Sequence, residues 1–312
     1  MQVYRKLDEI TKNDQTVLTV GTFDGVHLGH KYIFDKLKET ASQKNLRTVV
    51  VTFAPHPRTV VSQNFDLKLL TTFDEKVEVL SNIGVDNLVV VKFDETFSKL
   101  TSREFIKLFL FDKIGLSEFV IGHDHKFGRD RDGDESKLKE LGEQLNFNVI
   151  TVGPVNVGDN VISSTKIRAA LINGELDLAN KFLGRFYSFE GNVVKGATRG
   201  RILGFPTANI GIDDKFKLIP KTGVYAVRCL VDEDVVYGVM NIGYRPTFTE
   251  EGSLSLEVHL FDFDKDVYGS PMKVELIKRL RDEQKFNSKE ELIYQIERDK
   301  RSAIQEIGKI IN

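Results

Sequence analysis

Through about residue 184 the chain alternates short, almost wholly apolar runs with longer stretches in which apolar residues recur every three or four positions. The runs Val17–Val20, Thr48–Phe53, Asn87–Phe93, Phe119–Gly122 and Val149–Val152 read as strands. The stretches His30–Lys44, Phe73–Asn82, Arg103–Phe111 and Glu135–Leu145 read as helices, the third supported by the capping box Thr101-x-x-Glu104. Apolar strands alternating with helices predict a parallel sheet covered on both faces. From Leu183-Gly-Arg-Phe-Tyr187 onward the pattern changes, dividing the chain into 1–184 and 185–312. Six β-branched and aromatic runs follow: Tyr187–Val194, Thr207–Ile212, Val224–Val231, Val235–Ile242, Leu254–Phe263 and Met272–Leu280. Glycine and acidic punctuation separates them, which predicts a small antiparallel barrel. A last helix opens at the capping box Ser288-x-x-Glu291, and its stripe of Leu292, Ile293, Ile296, Ala303, Ile304, Ile307 and Ile311 is expected to pack into a core.

Composition narrows the classes. At 312 residues and 41% hydrophobic content the chain can bury one or two cores. A net charge of −2 argues against general affinity for nucleic acid or an anionic membrane surface. The one cysteine, Cys229, lies in an apolar run and is expected to be buried and inert. Neither a signal-peptide core nor an eighteen-residue apolar span is present in the sequence, so a cytoplasmic location is expected. Oligomeric state cannot be read from these features.

The densest chemistry follows the first strand, in Val20–His30, V-G-T-F-D-G-V-H-L-G-H. Gly21, Gly25 and Gly29 allow the backbone to approach a ligand, and the helix that follows offers free N–H groups and a positive dipole end to an anion. His27 and His30, three apart, project from one side of a helical turn. Neither G-x-G-x-x-G nor G-x-x-x-x-G-K-S/T occurs, so this is a different phosphate device, or else a tight turn whose histidines satisfy backbone groups. Histidines at a helix N-terminus have their charged form disfavoured and are expected to act as neutral donors or positioning groups.

Other stretches qualify. Phe53-Ala-Pro-His-Pro57 ends the second strand, and its prolines predict a rigid, extended loop. Ile121-Gly-His-Asp-His-Lys-Phe-Gly128 ends the fourth; the acidic cluster after it fails as a calcium loop because Glu135 stands where glycine is needed. Ile162-Ser-Ser-Thr-Lys-Ile-Arg168 is either an ordinary helix cap or a second anion site of hydroxyls, amides and a guanidinium. In the second half, a basic glycine-rich loop from Gly196 runs into Pro206-Thr-Ala-Asn209, where Thr207 and Asn209 face one way and could hold a hard cation or simply make turn hydrogen bonds. Leu254–Leu260 alternates strictly, with Ser255, Glu257 and His259 on one face; Glu257 is a candidate general base, although a solvated strand face has the same pattern.

Taken together, G-T-F-D-G-V-H-L-G-H, F-A-P-H-P, I-G-H-D-H-K-F-G, I-S-S-T-K-I-R, G-R-I-L-G-F-P-T-A-N, G-V-Y-A-V, N-I-G-Y-R-P-T-F, E-V-H-L-F-D-F and R-D-E-Q-K-F resemble the bacterial bifunctional riboflavin kinase/FMN adenylyltransferase family, also called FAD synthetases. The resemblance implies a nucleotidyltransferase-type, Rossmann-like domain followed by a six-stranded kinase barrel with a C-terminal helix. It implies that ATP and Mg²⁺ are used with riboflavin, FMN and FAD as substrates and products, and that the partners are small molecules. It makes His27 and His30 contacts to ATP phosphates, with Gly21, Phe23, Asp24, Gly29 and Asp124 at the nucleotide and Ser164, Thr165 and Arg168 on the β- and γ-phosphates. Phe53, Pro55 and Pro57 would form a flavin wall. In the barrel it assigns Gly196, Arg201, Thr207 and Asn209 to nucleotide, the last two also to metal, Glu257 to the base and Arg281 to flavin. His125 replaces a usual aromatic and Phe186 a usual proline. A flavin- or nucleotide-binding regulator, or an enzyme with one activity, would share the fold; the intact H-x-G-H, P-T-A-N and Glu257 weigh against both.

Overall fold

The computed structural model describes residues 1–61, 67–123, 128, 134–158, 160–196, 204–245 and 253–311. Asp124, His125 and Arg201 lie outside the described residues. The chain divides into two compact units, Met1–Ser164 and Thr165–Asn312.

The first unit is built on a six-stranded parallel sheet. Its strands are β1 (Gln2–Tyr4), β2 (Thr16–Val20), β3 (Arg47–Ala54), β4 (Asn87–Lys92), β5 (Leu116–Gly122) and β6 (Asn148–Val152), in the order β1-β4-β3-β2-β5-β6. Alternate residues go to opposite faces. Leu18, Val20, Val49, Val51, Phe119 and Ile121 share one cluster, with Val17, Val50, Leu88, Val90 and Val120 in the other. Helix α1 (Leu28–Lys44) and helix α3 (Phe73–Ile83) cover the second face through Phe34, Leu37 and Leu80. The first face is covered by Phe105, Ile106, Leu110, Leu138 and Leu141. Burial on both sides explains why these strands read as continuous apolar runs.

The structure differs from the sequence reading in three places. Edge strand β1 pairs with β4 but is too short and polar to announce itself as a strand. Helix α5 (Ser102–Phe105), capped by Thr101 and Glu104 as expected, passes into a π-helical segment, Ile106–Ile114. The segment after β3 is not an extended loop: Pro57 opens a short helix, α2 (Pro57–Val61), directly after His56. Proline suits a first helical position because its missing N–H is not needed there.

The second unit is a closed antiparallel barrel of β9 (Tyr187–Val194), β10 (Ala208–Gly211), β11 (Gly223–Val231), β12 (Asp234–Arg245), β13 (Ser253–Leu260) and β14 (Pro271–Arg281), in the order β10-β13-β12-β11-β14-β9. A small hairpin, β7 (Asn156–Val157) with β8 (Asn160–Val161), precedes it in the chain. Helices α7 (Ser164–Asn173) and α8 (Leu176–Leu183) lead into the barrel and bond to it: Asn180 Nδ2 donates to Leu276 O at 3.0 Å and Lys221 N to Leu171 O at 3.0 Å. The last helix, α9 (Lys289–Ile311), is capped by Ser288, whose Oγ accepts from Glu291 N at 3.1 Å. Ala303 and Ile307 pack with Ala226 and Ile277, and Phe186 joins that cluster. Ile304 and Ile311 instead face solvent, so the expected apolar stripe is narrower than its spacing suggested. Cys229 is fully buried and its thiol pushed far up by desolvation, as an inert residue should be.

Candidate functional sites

In the sheet, β2, β3 and β4 run to one side and β5 and β6 to the other, so the order reverses between β2 and β5. The crevice outside the carboxyl ends of strands at such a point is where open α/β sheets take ligands. The turn Gly21–His27 stands there, between β2 and α1. It is a strained turn: Phe23 and Val26 hold φ of 47° and 39°, with Gly25 at 81°. Contacts from several elements fix it. Gly21 N donates to Val51 O at 3.0 Å, Gly25 N to Thr71 Oγ1 at 3.1 Å, and Ser164 Oγ to Asp24 O at 2.9 Å. The buried Asp24 carboxylate accepts from Leu70 N at 2.9 Å and Thr71 N at 3.2 Å, tying the turn to the segment before α3.

His27 is the N-cap of α1, its Nδ1 accepting from His30 N at 3.3 Å. The two imidazoles stack, ring centroids 3.6 Å apart and 16° from parallel, and Phe23 meets His30 edge-on at 5.2 Å. The spacing of H-x-G-H therefore does bring both rings to one side of the helix start. The glycines serve a purpose that spacing alone did not reveal. A Cβ at Gly21 would meet the Phe23 ring at 2.8 Å, and one at Gly29 the His27 ring at 3.1 Å. Their bareness admits the protein's own rings over the backbone.

Phe53, at the end of β3, packs in an aromatic cluster with Phe93 and Phe97 at 5.7 and 5.8 Å. Pro55 and Pro57 follow it at the same edge of the sheet, where β3 ends and α2 begins. Thr165 and Arg168 lie three apart on α7, in the second unit; Thr165 is exposed and Arg168 partly so.

The barrel gathers its candidates by strand register. Asn209 on β10 pairs with Glu257 on β13, which in turn pairs with Asn241 on β12. Three polar side chains thus sit in one row across three strands. Ser255, buried, donates from Oγ to Glu257 Oε1 at 2.9 Å. It lies on the expected face, but its burial shows that this end of the face is not solvated. A Cβ at Gly196 would come within 1.9 Å of Asn209 Nδ2, and one at Gly243 within 1.9 Å of Glu283 Oε1 and 3.0 Å of Asn241 Nδ2. Thr207 immediately precedes β10, and the Pro206 carbonyl beside it is 2.8 Å from His259 Nδ1. The donor set is hydroxyl, amide and carboxylate oxygen, the chemistry a hard divalent cation accepts. Among the described residues no cluster of three or more His, Cys, Asp or Glu could hold a metal, so a cation here would share its shell with substrate phosphate and water.

Arg281, expected at flavin, is held through Nε and Nη2 by the buried Asp299 of α9 at 2.9 and 2.7 Å. Sequence reasoning gave no role to Ser255, Asn241 or the Leu70–Thr71 amides. Strict alternation placed Ser255 beside Glu257, so that signal was present; the pairing of Asn241 and the reach of Asp24 across the fold were not.

Family models cover both units: one described as FAD synthetase matches residues 9–166, and one described as riboflavin kinase matches residues 183–307. The bifunctional riboflavin kinase/FMN adenylyltransferase of Bacillus subtilis is 40% identical over 93% of this chain and 92% of its own. That of Escherichia coli K12 is 37% identical over 99% and 98%. A crystal structure described as a macrolide-efflux protein of Streptococcus pneumoniae superposes with a TM-score of 0.88 at 30% identity, covering 96% of this chain and 97% of its own. What it shares with this chain is the fold; no helix among the described residues is long and apolar enough to cross a membrane.

Proposed function

The chain belongs to the bifunctional riboflavin kinase/FMN adenylyltransferase family, and from that premise we propose how its residues divide the two reactions. It phosphorylates riboflavin with ATP to FMN and adenylylates FMN with a second ATP to FAD and pyrophosphate. The reading that assigns the first step to 185–312 and the second to 1–184 is carried by one observation: each half holds its own polar constellation on an unlike fold, the stacked His27 and His30 after β2 of the parallel sheet and the row of Asn209, Glu257 and Asn241 across three strands of the barrel.

In the kinase step a neutral alcohol attacks the γ-phosphorus and ADP leaves. The alcohol must give up its proton, and Glu257, oriented by Ser255, takes it. Asn209 and Thr207 hold the ATP phosphates. Mg²⁺, when bound there, neutralises phosphate charge, and the Thr207 hydroxyl and Asn209 amide oxygen are the groups that would hold it.

In the adenylyl step the nucleophile is the FMN phosphate, already anionic, which bonds to the α-phosphorus as the bond to pyrophosphate breaks. No base is needed. The stacked His27 and His30 and the first amides of α1 point donors at the oxygens where charge develops. Phe53, Pro55 and Pro57 form a wall for the flavin. Work in the cytoplasm, where ATP is supplied, is the location this reading favours.

The test is chromatography of flavins after incubation with riboflavin, ATP and Mg²⁺. Both FMN and FAD should form. Glu257→Ala should leave riboflavin untouched yet still convert added FMN; equal loss of both steps would overturn the assignment of separate sites.

A further inference from the structure

Lys76 is an ionisable group buried where neither proposed step uses it. It lies on α3 at 7% exposure, and its ammonium reaches back to the strained turn. Nζ donates to Thr22 O at 2.7 Å and stands 3.5 Å from Thr52 Oγ1 on β3, while Thr52 Oγ1 itself donates to Thr22 O at 3.3 Å. One carbonyl is thereby clamped from both a strand and a helix. The placement is expensive. Burial pulls the ammonium's pKa down to about 8, and Asp24, acting through space, offsets only part of this. A residue kept at such cost, bound to the carbonyl of Thr22, which is next to left-handed Phe23 on the turn that ends in His27, fits a demand of geometry better than one of packing.

We propose that Lys76 is a positioning residue for adenylyl transfer: by pinning Thr22 O against α3 and β3 it locks the Gly21–His27 turn, so that His27 and His30 meet the nucleotide phosphates in one fixed arrangement. The proposal rests on the reading of those histidines as phosphate contacts. In this role Lys76 acts through the Thr22 carbonyl and not on the substrate itself. Its loss therefore displaces donors that matter most as charge develops in the transition state, and the effect belongs in kcat more than in KM.

The experiment uses the full-length chain with Lys76→Met, measured for FMN adenylylation, for riboflavin phosphorylation and for thermal unfolding. We expect kcat for FAD formation to fall about 10- to 100-fold, the range that a misplacement on the order of 1 Å produces. KM for ATP should move less than about threefold, riboflavin phosphorylation should be unchanged, and the melting temperature should not drop. A purely structural lysine would give the reverse: a lower melting temperature with normal kcat per folded molecule, and that result overturns the proposal. His27→Ala is run in parallel. If it leaves FAD formation intact, the histidine reading has failed; if it suppresses FAD formation while Lys76→Met keeps wild-type kcat, the positioning role alone has failed. Should Lys76→Met not fold, Thr52→Val removes the second clamp on the same carbonyl. A fall in kcat there of about threefold or more supports the proposal, and wild-type kcat overturns it.

Discussion

Asn209 and Glu257 stand directly opposite each other on adjacent antiparallel strands, so the amide and the carboxylate are held a strand spacing apart by the barrel's own hydrogen bonds. Neither depends on a loop for its position. Replacing Glu257 with alanine should therefore remove the base and leave the barrel standing. Riboflavin phosphorylation should fall by about 10²- to 10⁴-fold, with melting temperature nearly unchanged, as scanning calorimetry and a kinase assay would show.

Ser255→Ala tests the orientation of that base. Loss of the 2.9 Å bond to Glu257 Oε1 should cost on the order of tenfold in the kinase kcat, and conversion of supplied FMN to FAD should not change.

Gly196→Ala is a steric test of Asn209. The new methyl would fall within 1.9 Å of the amide, so the amide must turn away. Phosphorylation should drop by more than about tenfold through a raised KM for ATP, as steady-state kinetics at varied ATP would report.

His27 does two things at once, and two substitutions separate them. His27→Ala removes both ring and cap and should cost about 1 kcal/mol of stability along with FAD formation. His27→Asn keeps a good N-cap, so stability should return while FAD formation stays down by about 10²-fold. Denaturant titration beside a flavin assay distinguishes the two losses.

Lys76 predicts a pH dependence of stability. The folded chain gives up this proton near pH 8 and the unfolded chain near 10.5, so between those values the unfolded state binds more protons and stability rises with pH. The site should contribute about 3 kcal/mol of recovered stability across that window. Urea titrations of wild type and Lys76→Met at pH 7.5 and 10.5 should differ by about that amount.

Five of the parallel strands were legible as nearly apolar runs, and the barrel strands as β-branched and aromatic runs set apart by glycine and acidic residues, all of them signals carried by neighbours in sequence. That His27 and His30 lie to one side of the helix start followed from a spacing of three; that their rings stack did not. Other relations were hidden because they join residues far apart in the chain. Asp24 binds the amides of Leu70 and Thr71, Lys76 reaches Thr22, and Asn241 enters the Glu257 row only through the β12–β13 register. Edge strand β1 escaped for another reason. Three residues with no buried side chain carry no period at all, and its pairing with β4 is settled by the backbone. The glycines of the first motif showed that something must come close, but composition could not say that the visitors were Phe23 and His27 themselves.

Closure of the barrel from β10 round to β9 leaves that sheet without an end strand among the described residues, whereas the parallel sheet ends in two rims, β1 and β6. Unpaired rims are where a second chain can add on. If the enzyme polymerises under stress, the growth point lies on the unit built on the parallel sheet, and a charge or proline placed on β6 would suppress it where the same change in the barrel would not.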